Sequence, residues 1–261
     1  MTFTAIVSAL PQEQHGLIKR LQRPTQVTRA GRDFWQGDLH GHSVVLALSK
    51  IGKVAAATTA TVLIERFGVQ RMVFTGLAGG LGAGVKVGDV VVGQSFVHHD
   101  LNASPLFPRY EVPLYGKTRF DGDAALTQSL LAATRYALAD PCVNRAYPAA
   151  KAHLGLIASG DRFISSHIES NDLRAALLAA NHDALAVEME GAAVAQVCFD
   201  YGVPFAAVRT ISDRADDDAH VDFPNFLDQV AGKYAVAIIE KFLRDMKCST
   251  GSLDFTGASS S

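Results

Sequence analysis

Cysteine is scarce here: Cys142, Cys198 and Cys248 are the only three in 261 residues. An odd, widely spaced set supplies neither a disulfide framework nor C-x-x-C metal spacing, so a reduced protein is expected. Met1–Ala9 carries no cationic leader and no small-residue cleavage site, which adds the expectation of a cytoplasmic location. Long apolar runs are missing as well. The hydrophobic stretches are strand-length or broken by glycine and charge, far short of the roughly 20 residues that span a bilayer, and no membrane partner is expected. Charge of one sign is lacking: a net charge of −2 with dispersed Lys and Arg gives no field for a phosphate backbone, and no nucleic acid partner is expected. H-E-x-x-H and G-x-S-x-G are absent, and neither nucleotide loop pattern, G-x-G-x-x-G or G-x-x-x-x-G-K, fits the glycine-rich stretch from Gly76.

What is present is enough apolar content, 48%, for one full core. Strand and helix patterns alternate, which predicts a single α/β domain over residues 1–247, followed by a Ser/Gly/Thr-rich tail, 248–261, expected to be disordered. Phe3–Ala9 reads as a strand, and Pro11 opens a helix whose inner face carries Leu17, Ile18 and Leu21. Asp33–Leu39 and His42–Leu48 flank His40-Gly41 as a hairpin, and Val54–Phe67 is an Ala-rich helix. Met72–Thr75 is the next strand. Gly76, Gly79, Gly80, Gly82, Gly84 and Gly88 then predict a tight turn before a strand at Asp89–Val92. Residues 100–121, with Pro105, Pro108 and Pro113, read as a functional loop near a pocket or a subunit contact. Ala124–Ala139 and Asp172–Ala180 read as helices, Leu154–Ile157 as a strand, and Ala184–Met189 as a strand leading into helix Gly191–Tyr201. After strand Phe205–Ile211, Asp222 and Pro224 are expected to open a last long helix.

Three acids sit just past strand-like runs: Glu13, Glu190 and Asp213. Open α/β sheets bind ligands beyond the carboxyl ends of their strands, so these acids are placed to converge on one pocket. Val187-Glu188-Met189-Glu190-Gly191 puts two carboxylates among apolar neighbours, a costly arrangement unless each has a partner. Two sugar hydroxyls would serve; alternatively one Glu pairs with Arg209 and the other is solvated. In Arg209-Thr210-Ile211-Ser212-Asp213 the terminal acid either faces a ligand or caps the next turn. His98, His99 and Asp100, and Asp216–Asp218 with His220, lack zinc-site or EF-hand spacing, so no metal is expected.

Ser8-Ala9-Leu10-Pro11-Gln12-Glu13, Ile51-Gly52-Lys53-Val54, Thr75-Gly76-Leu77-Ala78-Gly79-Gly80, Val187–Gly191 and Val208–Asp213 together resemble the purine and uridine phosphorylase superfamily. Within it, the 5'-methylthioadenosine/S-adenosylhomocysteine nucleosidase family is the nearest likeness. The resemblance implies a central twisted, partly barrel-like mixed sheet wrapped by helices, assembled as a homodimer, acting on a small-molecule nucleoside without metal or organic cofactor. It assigns Asp213 as proton donor to purine N7, Glu13 as the group that activates water, and Glu190 as ligand of the ribose hydroxyls. Glu188 and Met189 fall beside the ribose, Phe163 against the base, and Ile164 at the base edge. Ile51, Ala78, Gly79, Ser212 and Arg209 complete the implied binding set.

Relatives that use phosphate carry Gly-Asp-Pro-x-Arg after the first strand and an Arg before the central glycine loop. This chain has Leu10-Pro11-Gln12-Glu13 and Phe74 there, leaving no fixed cation for a phosphate dianion at either place, so hydrolysis is expected. Leu77 stands where many relatives have Ser. Rival expectations are a nucleosidase for a futalosine-type or hopanoid-linked adenosine, a phosphorylase that binds phosphate elsewhere, and a non-catalytic nucleoside-binding protein.

Overall fold

A computed structural model describes residues 3–216, 219 and 226–246. Strand β1 (Thr4–Ser8) is buried along its whole length because it has parallel neighbours on both sides, β4 (His42–Leu48) and β5 (Arg71–Gly80). Strands covered on both faces and both edges read as continuous apolar runs, as this one does. Alternate residues serve opposite faces. Ala5 and Val7 pack with Ala56, Ala60 and Leu63 of α2 (Lys53–Phe67) and with Val194 and Cys198 of α5 (Gly191–Tyr201). Ile6 packs in a second core with Leu17 of α1 (Pro11–Ile18), Leu130 of α3 (Ala124–Leu138) and Ile239 of the final helix, α6 (Gly232–Asp245).

On its other edge β5 is paired in parallel with β10 (Phe205–Asp213). From β10 the ring runs through β6 (Val90–His98), β8 (Ala152–Ser159) and β9 (Ala184–Glu188), then back to β5. That closed path is the partly barrel-like sheet. A flap of β3 (Arg32–Leu39) and β2 (Gln22–Arg29) extends antiparallel from β4, and β7 (Phe120–Asp121) adds to β6. Helix α4 (His167–Ala179) leans on β9.

Strand β5 is forked. Arg71–Phe74 pair with β1, whereas Gly79 and Gly80 pair with β9 on that same edge. Between those two pairings β1 and β9 part company, and the crevice so opened lies past the carboxyl end of β1.

The tight turn expected from Gly76 onward is corrected here: the strand continues through Gly80, and the chain turns only between Leu81 and Asp89. Glycine serves close approach instead. A Cβ at Gly79 would stand 2.9 Å from the Ala215 Cβ and 3.0 Å from the Asp213 Oδ1, and one at Gly80 would stand 3.2 Å from Ile211. On α1 the buried residues are Glu13, Gln14 and Leu17, so the inner face carries two polar groups in place of Ile18; Leu21 is buried just beyond the helix. The strand β2 was not legible as such, being mostly exposed. Its turn, Ala30-Gly31, has positive φ at both residues, as does His40-Gly41, the geometry of two-residue hairpins. Helix α4 starts at His167, earlier than expected, because the Ser166 side chain caps it by accepting from the Glu169 amide at 3.2 Å. The last long helix comprises a π-helical turn, Leu227–Ala231, leading into α6. Asp222, Pro224, Asp217, Asp218, His220 and the 248–261 tail lie outside the described residues.

Candidate active site

A cavity of about 370 Å³ opens where β5 forks. Glu13, Glu188, Glu190 and Asp213 line it together with Ala9, Leu10, Ile51, Leu77, Ala78, Gly79, Phe163, Val187 and Met189. Acids that are far apart in sequence therefore converge. Ile164 and Arg162 lie in a small adjoining recess that shares Phe163, Met189 and Asp213 with the main cavity. Ser212 and Arg209 are placed behind the lining.

Glu13 is 1% exposed, on the first turn of α1. Its Oε2 accepts the Ala9 and Leu10 amides, each at 2.9 Å, and its Oε1 accepts the Leu77 amide at 3.1 Å. The last of these donors comes from the forked stretch of β5. Burial raises the Glu13 pKa above the ordinary carboxylate value; the Leu10 amide, the Arg209 charge and the Ala9 and Leu77 amides pull it back only in part. Gly76 makes room, since a Cβ there would meet Glu13 Oε1 at 3.1 Å and an Arg209 nitrogen at 3.4 Å.

The two acids of Glu188-Met189-Glu190 have different partners. Glu188 Oε2 accepts Arg209 through Nη2 at 2.7 Å and Nε at 3.2 Å, and it also accepts the Glu190 and Gly191 amides. The Ser159 hydroxyl donates to Oε1. The expected Arg209 pair thus exists, and it uses Glu188. Glu190 is not the solvated member that the pairing alternative required: it is buried, and its Oε1 accepts the Gly52 amide at 2.8 Å. Burial, then the nearby Glu188 charge, pushes the Glu190 pKa well up, against the opposing pull of Arg209 and the Gly52 amide.

Arg209 is 1% exposed, with its guanidinium 4.1 Å from the centre of the Phe74 ring, beneath the carboxylates. It is the buried cation that offsets their mutual repulsion. Removing one partner of a buried pair strands the other, so Arg209→Met is expected to lower the unfolding free energy by about 3–5 kcal/mol. Urea denaturation reads this directly, and an unchanged midpoint would contradict the role.

Asp213 ends β10, and its two oxygens have separate duties. Oδ1 accepts the Ala215 amide at 2.8 Å, capping the turn, and Oδ2 accepts the Ser212 hydroxyl at 2.7 Å. One side chain thus caps the turn and also lines the cavity. Ser212 is fully buried and reaches the Ala78 carbonyl at 3.4 Å.

The sequence reading missed the backbone donors: the Ala9, Leu10, Leu77 and Gly52 amides have no side-chain signature. Only the glycine ahead of α2 hinted at the last, and its φ of +97° is a conformation that side chains rarely adopt. His98 and His99, expected on a solvated loop face, are buried. His98 is within hydrogen-bonding reach of Gln196, 3.0 Å away, the His99 ring occupies the space a side chain at Gly160 would need, and burial holds both imidazoles below their ordinary value.

A profile of the phosphorylase superfamily matches residues 4–244. The 5'-methylthioadenosine/S-adenosylhomocysteine nucleosidase of Bacillus thuringiensis (strain Al Hakam) is 37% identical over 93% of this chain and 99% of its own length. A crystal structure of the enzyme of that name from Neisseria meningitidis, in complex with methylthio-immucillin-A, superimposes with a TM-score of 0.83 at 33% identity, covering 94% of this chain and all, 100%, of that one. Futalosine hydrolase of Helicobacter pylori gives 0.80 at 30% identity over 92% of this chain and 97% of that one. With a matched stretch reaching from β1 into α6 and relatives covered over nearly their whole length, the chain belongs to the phosphorylase superfamily.

Proposed function

We propose that this protein hydrolyses the N-glycosidic bond of 5'-methylthioadenosine, S-adenosylhomocysteine or a close 5'-modified adenosine, releasing adenine. The observation that carries the reading is the gathering of Glu13, Glu190 and Asp213 around one cavity of nucleoside size. The kinship with nucleosidases supplies the substrate class.

Cleavage builds positive charge on the sugar and negative charge on the purine. Asp213 delivers its proton to N7, so the leaving base departs neutral as the C1'–N9 bond breaks. Glu13 accepts a proton from water while the water oxygen bonds C1'. Three amides fix the Glu13 carboxylate, which leaves it pre-oriented, and a raised pKa makes it a better base than an ordinary Glu. Glu190, held by the Gly52 amide, receives the ribose hydroxyls, and the Phe163 ring covers the base. Leu77 contributes its amide and an apolar wall where a serine would add a hydroxyl. Buried carboxylates next to the sugar disfavour a phosphate dianion as nucleophile, which favours water.

Incubating the purified protein with a panel of 5'-modified adenosines, with and without phosphate, and identifying base and sugar products is the test. Free sugar and adenine in the absence of phosphate is the expected result. A sugar 1-phosphate formed only with phosphate would replace hydrolysis by phosphorolysis, and turnover restricted to a futalosine-type substrate would move the specificity.

The same reading includes a homodimer in the cytoplasm. Ile51, Val54, Leu106, Leu114 and Ile168 are exposed apolar side chains of the kind a second copy would cover. Sedimentation is expected to give twice the chain mass, and a monomer at micromolar concentration would remove this part.

A further inference from the structure

Three of the loops that follow strands around the cavity are tied together by a cluster that does not line it. Lys53 follows β4 and opens α2, Asp100 follows β6, and Asp161 follows β8. Asp100 Oδ1 accepts the Lys53 ammonium at 2.5 Å, and its Oδ2 accepts the Asp161 amide at 2.9 Å. Asp161 Oδ1 in turn accepts the Lys53 amide at 2.7 Å, supplying from another loop the cap that Gly52 has no side chain to make. Two of the tied residues, Lys53 and Asp161, lie within two positions of residues that line the cavity. Gly52, before Lys53, donates its amide to Glu190, and Ile51 before it lines the cavity; Phe163, two residues after Asp161, lines it as well.

Two further observations fit this arrangement. A Cβ at Gly52 would lie 3.1 Å from Asp161 Oδ1, so the absent side chain admits the carboxylate as well as the positive φ. Burial opposes the ionisation of Asp100, yet the Lys53 and Asp161 hydrogen bonds outweigh it and hold the carboxyl below its usual range. Asp100 is therefore charged at neutral pH.

We infer that Asp100 is a positioning residue for nucleoside binding: by gripping Lys53 and Asp161 together it sets the Gly52 amide on Glu190 and fixes the span between Ile51 and Phe163. The inference rests on the nucleosidase reading of the cavity. Its effect falls on groups that hold substrate and transition state alike, so it appears in KM more than in kcat.

The test is steady-state kinetics of the full chain with Asp100→Asn, Lys53→Met and the double variant, alongside hydrogen exchange of the amides in residues 51–54 and 160–164. Asp100→Asn is expected to raise KM about tenfold, within the ~10²-fold that a misplacement of ~1 Å can cost, with kcat changed less than about threefold. Lys53→Met is expected to do the same to a smaller degree, Lys53→Arg to recover part of the loss, and the double variant to be no worse than Asp100→Asn. Exchange is expected to quicken in both segments together. Should Asp100→Asn not fold, Lys53→Met carries both readouts alone, because it leaves the Asp100 contact to the Asp161 amide intact. Unchanged KM, additive effects in the double variant, or faster exchange in one segment only would each overturn the inference. If the unaltered protein releases no adenine from any nucleoside, the nucleosidase reading fails, and the exchange result still decides the clamp.

Discussion

Asp213→Asn is expected to lose about 10²–10⁴-fold in kcat while the protein folds normally, because the amide cannot give a proton to the departing purine. The substitution is close to isosteric, and its carbonyl oxygen can still accept the Ala215 amide that Asp213 Oδ1 accepts at 2.8 Å. The Ser212 hydroxyl, 2.7 Å from Oδ2, can reverse its role and accept from the new amino group. Thermal unfolding should therefore move little. Turnover is to be measured with 5'-methylthioadenosine by adenine release, and full activity in a folded Asp213→Asn protein would end the assignment. A nucleoside whose base leaves readily without protonation should be spared much of the loss, which separates failed proton donation from general damage.

Glu13→Gln is expected to abolish turnover to a similar extent, about 10²–10⁴-fold, while nucleoside binding persists. Here the fold does register the change. The carboxylate accepts amides through both oxygens, from Ala9 and Leu10 on one and Leu77 on the other. A glutamine has one carbonyl oxygen, so its amino group must face at least one backbone donor, at a cost of about 1–3 kcal/mol. A moderate fall in stability with retained binding and lost chemistry is the expected triple outcome. Glutamine variants that still turn over would remove the water-activating role. The pH profile gives a second check. The Glu13 pKa lies above the ordinary 4.5, mainly through burial, so its protonated, inactive form persists to higher pH than that of an exposed Glu. Activity is fully present above the raised value and is lost as pH falls through it, so the acid limb of kcat/KM should lie above pH 4.5. An acid limb at or below that point would contradict the environment described for Glu13.

Much of this was legible in the chain itself, because burial on both faces leaves an apolar signature. Strand β1, helix α5 and the hairpin at His40-Gly41 stand where the pattern put them, and the acids after β1, β9 and β10 do meet. The illegible parts have physical reasons. Glycine has no side chain to report its surroundings, so a run that looked like a turn is instead the strand floor against which Ala215 and Ile211 pack. Strand β2 sits at the sheet edge and is mostly exposed, so no burial pattern marks it. Which of Glu188 and Glu190 takes Arg209 depends on geometry two residues apart, and the amides of Gly52 and Leu77 belong to the main chain, which every sequence shares. The grip of Asp100 on two distant loops has no local signature at all.

The fork in β5 has one more consequence. Where β1 has left and β9 has not yet arrived, the strand's edge would ordinarily be an exposed template for pairing, and here the Leu77 amide is satisfied by the Glu13 carboxylate. The recess is thus a missing segment of ladder, bounded below by peptide groups that no exchange of side chains can reshape. Adapting such a recess to a bulkier or more polar ligand has to proceed from the rim, through exposed lining residues such as Ile51 and Phe163, while the bed beneath stays the same.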